Sequence, residues 1–261
     1  MCLTFYYLKS KSLGEGVSIM DPTGKIWAAL DTEKTRALEI AKNIARHPAI
    51  FGFKVNRSVD QEVFRRDGEV MLFDELAQHG LPIWIDHKLH DVDRTVVGRL
   101  MPYIKSGQIQ FATVMAKGEI DMMSEAVEAA DGKMYIIAVT ELTSLSEEQI
   151  HLGSGQPSKA SVISLARNAV LSGIRHLVCS SQELKVLSTR RELRCLQKFT
   201  PGITPDWKLE NQIDQKRVGS PAFALSGGAD KLVIGGAFVN DDNPLEAVQK
   251  TADEIETFEL K

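Results

Sequence analysis

The stretch IWIDHKLHDVDRT, residues 83–95, places Lys88 between Asp86 and Asp91, with His87 and His90 on either side. Such a cluster could bind a metal, form a surface ion pair, or serve as a catalytic charge array. Side chains alternate along a strand, so Asp86 and Lys88 share one face and His87 takes the other. That weakens the metal reading, because a cation held by Asp86 and Asp91 would sit beside the Lys88 ammonium. The surface ion pair loses ground because Trp84 and Ile85 immediately precede the cluster. In addition, Lys54 and Asp31 end two other apolar runs, IFGFKVN (50–56) and KIWAALD (25–31). Lysines and carboxylates alternating in one low-dielectric pocket keep each other charged. The chemistry this suits is stabilisation and protonation of a carbanion: an acid destabilises a substrate carboxylate, and a neighbouring lysine delivers a proton. An already activated substrate needs no cofactor for this.

Eight apolar runs can position these groups: 25–31, 50–56, 82–89, 108–115, 134–142, 174–181, 196–203 and 231–239. They are near-continuous rather than alternating, as in parallel strands covered on both faces. Segments of helical period lie between them. Leu38, Ala41, Ile44 and Ala45 share a face within 32–47, and 158–172, 216–226 and 244–258 read the same way, with SGG at 226–228 as a helical stop. Strand–helix alternation repeated eight times is the pattern of a (β/α)8 TIM barrel, with a doubly wound open sheet as the alternative. The expectation is a single barrel domain over 25–261, preceded by a 1–24 extension that caps the barrel bottom or is disordered. Barrel chemistry sits at the C-terminal strand ends. Those ends carry Asp31, Lys54, Asp86 with Lys88, Thr113, Thr143, Ser180, Pro201-Gly202 and Gly235-Gly236.

At 261 residues the chain can bury a sizeable core, and 43% hydrophobic with 25% charged residues fits a soluble globular protein. No apolar run approaches the roughly 18 residues of a membrane span. MCLTFYYLKSKS has its basic residues after the apolar part, the reverse of a secretory leader. A formal charge of −4 leaves no nucleic-acid footprint. Cys2, Cys179 and Cys195 lack metal-finger spacing and are few for a disulfide scaffold, so a reducing cytoplasm is expected. GSGQPS (153–158) lacks the lysine and spacing of a phosphate loop and reads as a flexible loop. His47, His79, His151 and His176 read mostly as surface or helix-end residues, and Cys179 as packing in a strand.

Asp-x-Lys-x-x-Asp followed by a hydrophobic residue and Thr95, preceded by FKVN and ALD, resembles orotidine 5′-phosphate decarboxylase. The resemblance extends through VTELTS (139–144), VCSSQE (178–183), FTPGITP (199–205), DQKRV (214–218) and GADKLVIG (228–235), covering roughly 25–255. Magnesium-dependent relatives in the same superfamily look similar around the Asp-x-Lys-x-x-Asp motif but carry an acid where this chain has Lys54. The resemblance implies a cofactor-independent carboxy-lyase with no metal, converting orotidine 5′-phosphate to UMP and carbon dioxide. It implies that Asp31 binds ribose hydroxyls and Lys54 pairs with the cluster and the ribose. Asp86 would press on the substrate carboxylate, and Lys88 would protonate C6. Asp91 and Thr95 would reach into the neighbouring subunit's site, which makes the expected assembly a homodimer. Thr143 would bond the pyrimidine edge, and the loop from Pro201 to Arg217, with Gln215, would close over base and phosphate.

The departures concentrate at the phosphate end. Gly236 follows Gly235 where the family commonly has a phosphate-gripping arginine, and Thr204 stands where bacterial members often have another. Met115 replaces a frequent histidine, and Glu119 a glycine. A charge-assisted hydrogen bond contributes about 1.5–3 kcal/mol, or one to two decades of affinity. Substitutes could be a Gly235-Gly236 backbone nest, Lys208, Lys216 or Arg217. Two further readings therefore accompany the nucleotide decarboxylase. One is a diverged decarboxylase acting on an unphosphorylated or modified nucleoside or heterocycle. The other is a non-catalytic nucleotide-binding barrel, which would gain nothing from an acid facing a substrate carboxylate. A divalent-metal barrel enzyme using Asp86 and Asp91 would be exposed by a chelator.

Overall fold

The structure is a computed structural model that describes residues 24–56, 58–59, 71–209 and 219–260. The expected extension therefore lies outside the described residues, apart from Gly24. Eight strands close into a parallel barrel in chain order. They are β1 (Ile26–Ala29), β2 (Ile50–Val55), β3 (Ile83–Leu89), β4 (Phe111–Met115), β5 (Tyr135–Val139), β6 (His176–Val178), β7 (Gln197–Thr200) and β8 (Lys231–Ile234). β1 pairs with both β2 and β8, which closes the ring and excludes the open doubly wound sheet.

The surrounding helices are α1 (Lys34–Ile44), α2 (Leu72–Ala77), α3 (Asp93–Ser106), α4 (Glu119–Ala130), α5 (Glu147–Ser154) and α6 (Ser158–Leu171). They continue as α7 (Leu184–Ser188), α8 (Asp206–Leu209), α9 (Pro221–Gly227), α10 (Gly236–Val239) and α11 (Pro244–Glu259). In α1 the fully buried stripe is Ala37, Ile40, Ala41 and Ile44, with Leu38 only partly covered at its edge. Local signals set several ends. Ser146 and Gln149 form a reciprocal capping box on α5. Pro244 opens α11 behind an Asn243 cap. The expected SGG stop is real: α9 ends at Gly227, and Gly228 takes the left-handed φ of 99°.

Two expected elements differ. The segment 216–226 is helical only from Pro221 among its described residues, with Ser220 as its N-cap. The run 231–239 is not one strand: it ends at Ile234, and Gly236–Val239 turns into α10. Gly235 makes the break: at φ −121° and ψ −76° it leaves the extended conformation, packed against Ala29 of the adjacent strand where a Cβ would lie 3.3 Å from the Ala29 Cβ and carbonyl oxygen. GSGQPS is a tight α5–α6 connection, turned by Gly155 at φ 70°.

The core has two compartments. Aliphatic residues fill the space between sheet and helices, while the barrel interior holds a separate aromatic cluster. Trp27 meets Trp84 edge-on at 5.4 Å and Phe111 at 5.1 Å, with Phe199 5.9 Å from Trp84. Gly52 makes room for this stack, because a Cβ there would collide with the Trp27 ring at 2.5 Å. His176 belongs to the same layer and is buried, with its ring 5.5 Å from Phe199 and 4.8 Å from Tyr135. It is therefore neither a surface nor a helix-end residue. Burial lowers its pKa to about 4, so the ring is neutral. Cys179 follows β6 directly and is fully buried; burial raises its thiol pKa, as expected of a packing residue.

Candidate active site

Above the aromatic layer, the strand ends surround a cavity of about 770 Å³. Trp84, Val139, Val178 and Val233 supply apolar lining, and Asp31, Lys54, Asp86 and Lys88 form its charged side. Lys54 is the penultimate residue of β2 and is 5% exposed. Its Nζ donates to Asp31 Oδ1 and Oδ2 at 3.0 and 2.8 Å, and to Asp86 Oδ2 at 3.2 Å. Lys88 Nζ reaches the same Asp86 Oδ2 at 2.7 Å. The other oxygen, Oδ1, accepts the Thr113 hydroxyl at 3.0 Å. Asp86, 6% exposed, thus has all of its described polar contacts from two lysines and a hydroxyl.

At these groups β3 departs from regular pairing with β4. Ile85 faces Ala112 and Leu89 faces Val114, so the ladder shifts between them. Lys88 sits in the left-handed region at φ 50°, a conformation rare for a long side chain. Asp86 and Lys88 both line the cavity, whereas His87 turns outward to Tyr103 of α3, 3.3 Å away. His87 therefore cannot join a metal set with Asp86, and among the described residues no group of three or more His, Cys, Asp or Glu side chains could hold an ion.

Thr143, Pro201, Gly235 and Gly236 also line the cavity. Asp91 and Thr95 do not. Asp91 is exposed just before α3, and its Oδ1 accepts the Val92 amide at 2.7 Å. Gln215 and Arg217 lie outside the described residues. The cationic residues among the described cavity lining are Lys54 and Lys88, which are engaged with Asp31 and Asp86. Lys208 is engaged with Asp241 at 3.2 Å and does not line the cavity.

Two features were not singled out from sequence. Glu141, just past β5, is buried beside the cavity, paired with Lys117 at 2.7 Å and accepting the Ser161 hydroxyl at 2.7 Å. The acid in VTEL marks the position, but its partners lie in other elements. Thr113 stood out only as a polar strand end, and its two-sided hydrogen bonding depends on the β3–β4 shift.

A family model described as "Orotidine 5'-phosphate decarboxylase / HUMPS family" matches residues 24–251. The chain belongs to this family. An orotidine 5′-phosphate decarboxylase of Staphylococcus aureus (strain bovine RF122 / ET3-1) is 32% identical over 217 residues, covering 81% of this chain and 92% of that protein. The protein of the same description from strain Newman is 34% identical over 197 residues, covering 74% and 84%. Among solved structures, orotidine 5′-phosphate decarboxylase of Lactobacillus acidophilus superposes with a TM-score of 0.70 at 25% identity, covering 89% of this chain and 98% of that one. The closed eight-stranded barrel is thus shared with a solved structure of an orotidine 5′-phosphate decarboxylase. No helix among the described residues is long and apolar enough to cross a membrane.

Proposed function

We propose that the chain is a cofactor-independent decarboxylase acting on a pyrimidine 6-carboxylate of the orotidine 5′-phosphate type. The observation that carries this is one carboxylate oxygen, Asp86 Oδ2, shared by Lys88 at 2.7 Å and Lys54 at 3.2 Å at the edge of a nucleotide-sized cavity. The substrate carboxylate lies against Asp86, and this like-charge contact is relieved as carbon dioxide leaves. The C6–carboxyl bond breaks with its electron pair left on C6. The Lys88 ammonium, already placed and facing the same pocket, stabilises that charge and transfers a proton to C6, giving UMP. Lysine is then reprotonated from water. Lys54 ties Asp86 to Asp31, whose half-exposed carboxylate accepts ribose hydroxyls. Thr143 bonds the pyrimidine edge, and Asp91 and Thr95 act in the site of a second copy within a homodimer. Asp91 is exposed and Thr95 half-buried, and both stand outside their own cavity, which supports that arrangement.

A second reading has an observation of its own. Gly236 lines the cavity at the position where the family resemblance implies a phosphate-gripping arginine, which favours a substrate lacking the 5′-phosphate, such as a nucleoside or a modified heterocycle. The deciding experiment is a spectrophotometric decarboxylation assay with orotidine 5′-phosphate and orotidine in parallel, each with and without chelator. Chelator-insensitive turnover of the phosphate ester alone supports the nucleotide enzyme. Turnover of orotidine alone supports the second reading. Turnover of neither removes both substrates, and loss of activity to chelator removes the metal-free mechanism.

A further inference from the structure

Three consecutive residues of β3, Asp86, His87 and Lys88, face a single residue of β4, because the pairing steps from Ile85↔Ala112 to Leu89↔Val114 with only Thr113 between. A shift of this kind removes backbone groups from the ladder and re-aims side chains. Here the displaced amide is that of Lys88, which donates to Thr113 Oγ1 at 2.9 Å. The same oxygen donates its own hydrogen to Asp86 Oδ1 at 3.0 Å; the Ile85 carbonyl is farther, at 3.5 Å. A threonine hydroxyl has one hydrogen to give, and its lone pairs accept the amide, so both functions are used. Thr113 is completely buried and does not line the cavity, so it does not touch a ligand there. Its β-branched side chain has few rotamers, which makes the clamp stiff.

We propose that Thr113 is a positioning residue for the decarboxylation: its hydroxyl fixes the plane of the Asp86 carboxylate and the left-handed backbone of Lys88 at the same time. This rests on the decarboxylase reading. Asp86 Oδ2 is held by the ends of two long lysine side chains, whereas Oδ1 is held by a short β-branched neighbour, so the hydroxyl decides which way the acid turns. The Lys88 amide, tied to the same atom, is placed relative to that acid rather than relative to the strand. A residue serving only to fill space would be replaced equally well by valine, which matches threonine in shape.

The test compares Thr113→Val with Thr113→Ser in the full-length protein. The readouts are kcat and KM on whichever of orotidine 5′-phosphate or orotidine is turned over, the melting temperature, and the side-chain nitrogen resonance of Lys88 in lysine-labelled protein, assigned by its loss in Lys88→Met. Thr113→Val is expected to lower kcat by about 10- to 100-fold while KM stays within about threefold, because misplacement affects the reacting groups and not uniform binding. Thr113→Ser is expected to stay within about threefold of the parent in both constants. The Lys88 resonance should move in the valine variant and keep its position in the serine variant. Near-parental kcat in Thr113→Val, or equal losses in both variants, overturns the proposal. If the parent protein turns over neither substrate, the decarboxylase reading fails separately, and an unmoved Lys88 resonance in Thr113→Val still overturns the clamp. Should the valine variant not fold, Thr113→Ala against Thr113→Ser carries the same comparison.

Discussion

The ammonium of Lys88 lies 2.7 Å from Asp86 Oδ2, and Lys54 approaches that oxygen from the other side at 3.2 Å. Removing Lys88 therefore leaves Asp86 with a second cation and the Thr113 hydroxyl. Lys88→Ala should fold and bind a UMP-type ligand while losing about 10²–10⁴ in kcat, the range for a positioned proton donor. Single-turnover kinetics beside ligand titration separate the two effects. Turnover close to the parent's would remove Lys88 from the protonation step.

Asp91 supplies its own Val92 amide with an acceptor and stands outside its own cavity. Asp91→Asn keeps that acceptor and removes only the charge, so a loss of activity would report on a site elsewhere. In a two-fold dimer with shared sites, equal mixing of inactive Asp91→Asn and inactive Lys88→Ala yields hybrids with one intact site of two, or about a quarter of all sites. Activity of the re-equilibrated mixture checks this. No recovery, with hybrids confirmed by mass spectrometry, would place Asp91 in its own subunit's function.

Gly236 has space for a side chain: a Cβ there meets nothing nearer than Asn240 Nδ2 at 3.6 Å. Gly236→Arg should lower KM for a 5′-phosphorylated substrate by about one to two decades and leave KM for the nucleoside unchanged. An equal change for both substrates would mean that this end of the cavity does not meet the phosphate.

Glu119 occupies φ 66° and ψ −179°, a region essentially reserved for glycine, at a position where the family resemblance led us to expect one. Its carboxylate accepts Asn168 Nδ2 at 3.0 Å on the surface, which offsets part of the strain. Strain of about 1–3 kcal/mol against an exposed hydrogen bond of about 0.5–1.5 kcal/mol leaves Glu119→Gly more stable by ~1 kcal/mol. Urea denaturation measures this directly. An unchanged or lower midpoint would show that the side-chain contact outweighs the backbone strain.

These positions also show what the sequence can and cannot carry. Eight near-continuous apolar runs allow few folds besides the barrel, and alternation was enough to bring Asp86 and Lys88 to one face and turn His87 away. The β3–β4 shift was hidden, since regular alternation predicts the same facing for Asp86 and Lys88 without revealing that Thr113 stands opposite all three residues. The end of β8 was hidden too, because VIGGAFV continues the apolar composition through a turn made by Gly235. His176 was misplaced by type: a histidine suggests surface, but an inward position in a barrel strand surrounds it with Phe111, Tyr135 and Phe199. Glu141 finds Lys117 and Ser161 only through the closure of the barrel.

Burial raises the pKa of Glu183 from an ordinary 4.5 to about 7; the Ser180 amide and Ser158 hydroxyl oppose the shift, and nearby Glu141 and Glu147 reinforce it. The unfolded chain releases this proton near 4.5 and the folded chain near 7, so between those values the native state holds the extra proton. Stability therefore falls as pH rises through this window, and the full penalty, on the order of 3 kcal/mol, is present above it. Glu254, also raised to about 7 by burial, adds a smaller slope of the same sign because it is more open to solvent. His176, lowered to about 4, acts in the opposite sense, its contribution being lost as pH falls from 6.5 toward 4. The difference between Glu183→Gln and the parent isolates one term, since the amide keeps its size and does not ionise. The variant should come closest to the parent near pH 4, exceed it increasingly up to about pH 7, and keep that margin above it in chemical denaturation. Parallel profiles for the two proteins would mean that Glu183 ionises in the folded state at an ordinary pH.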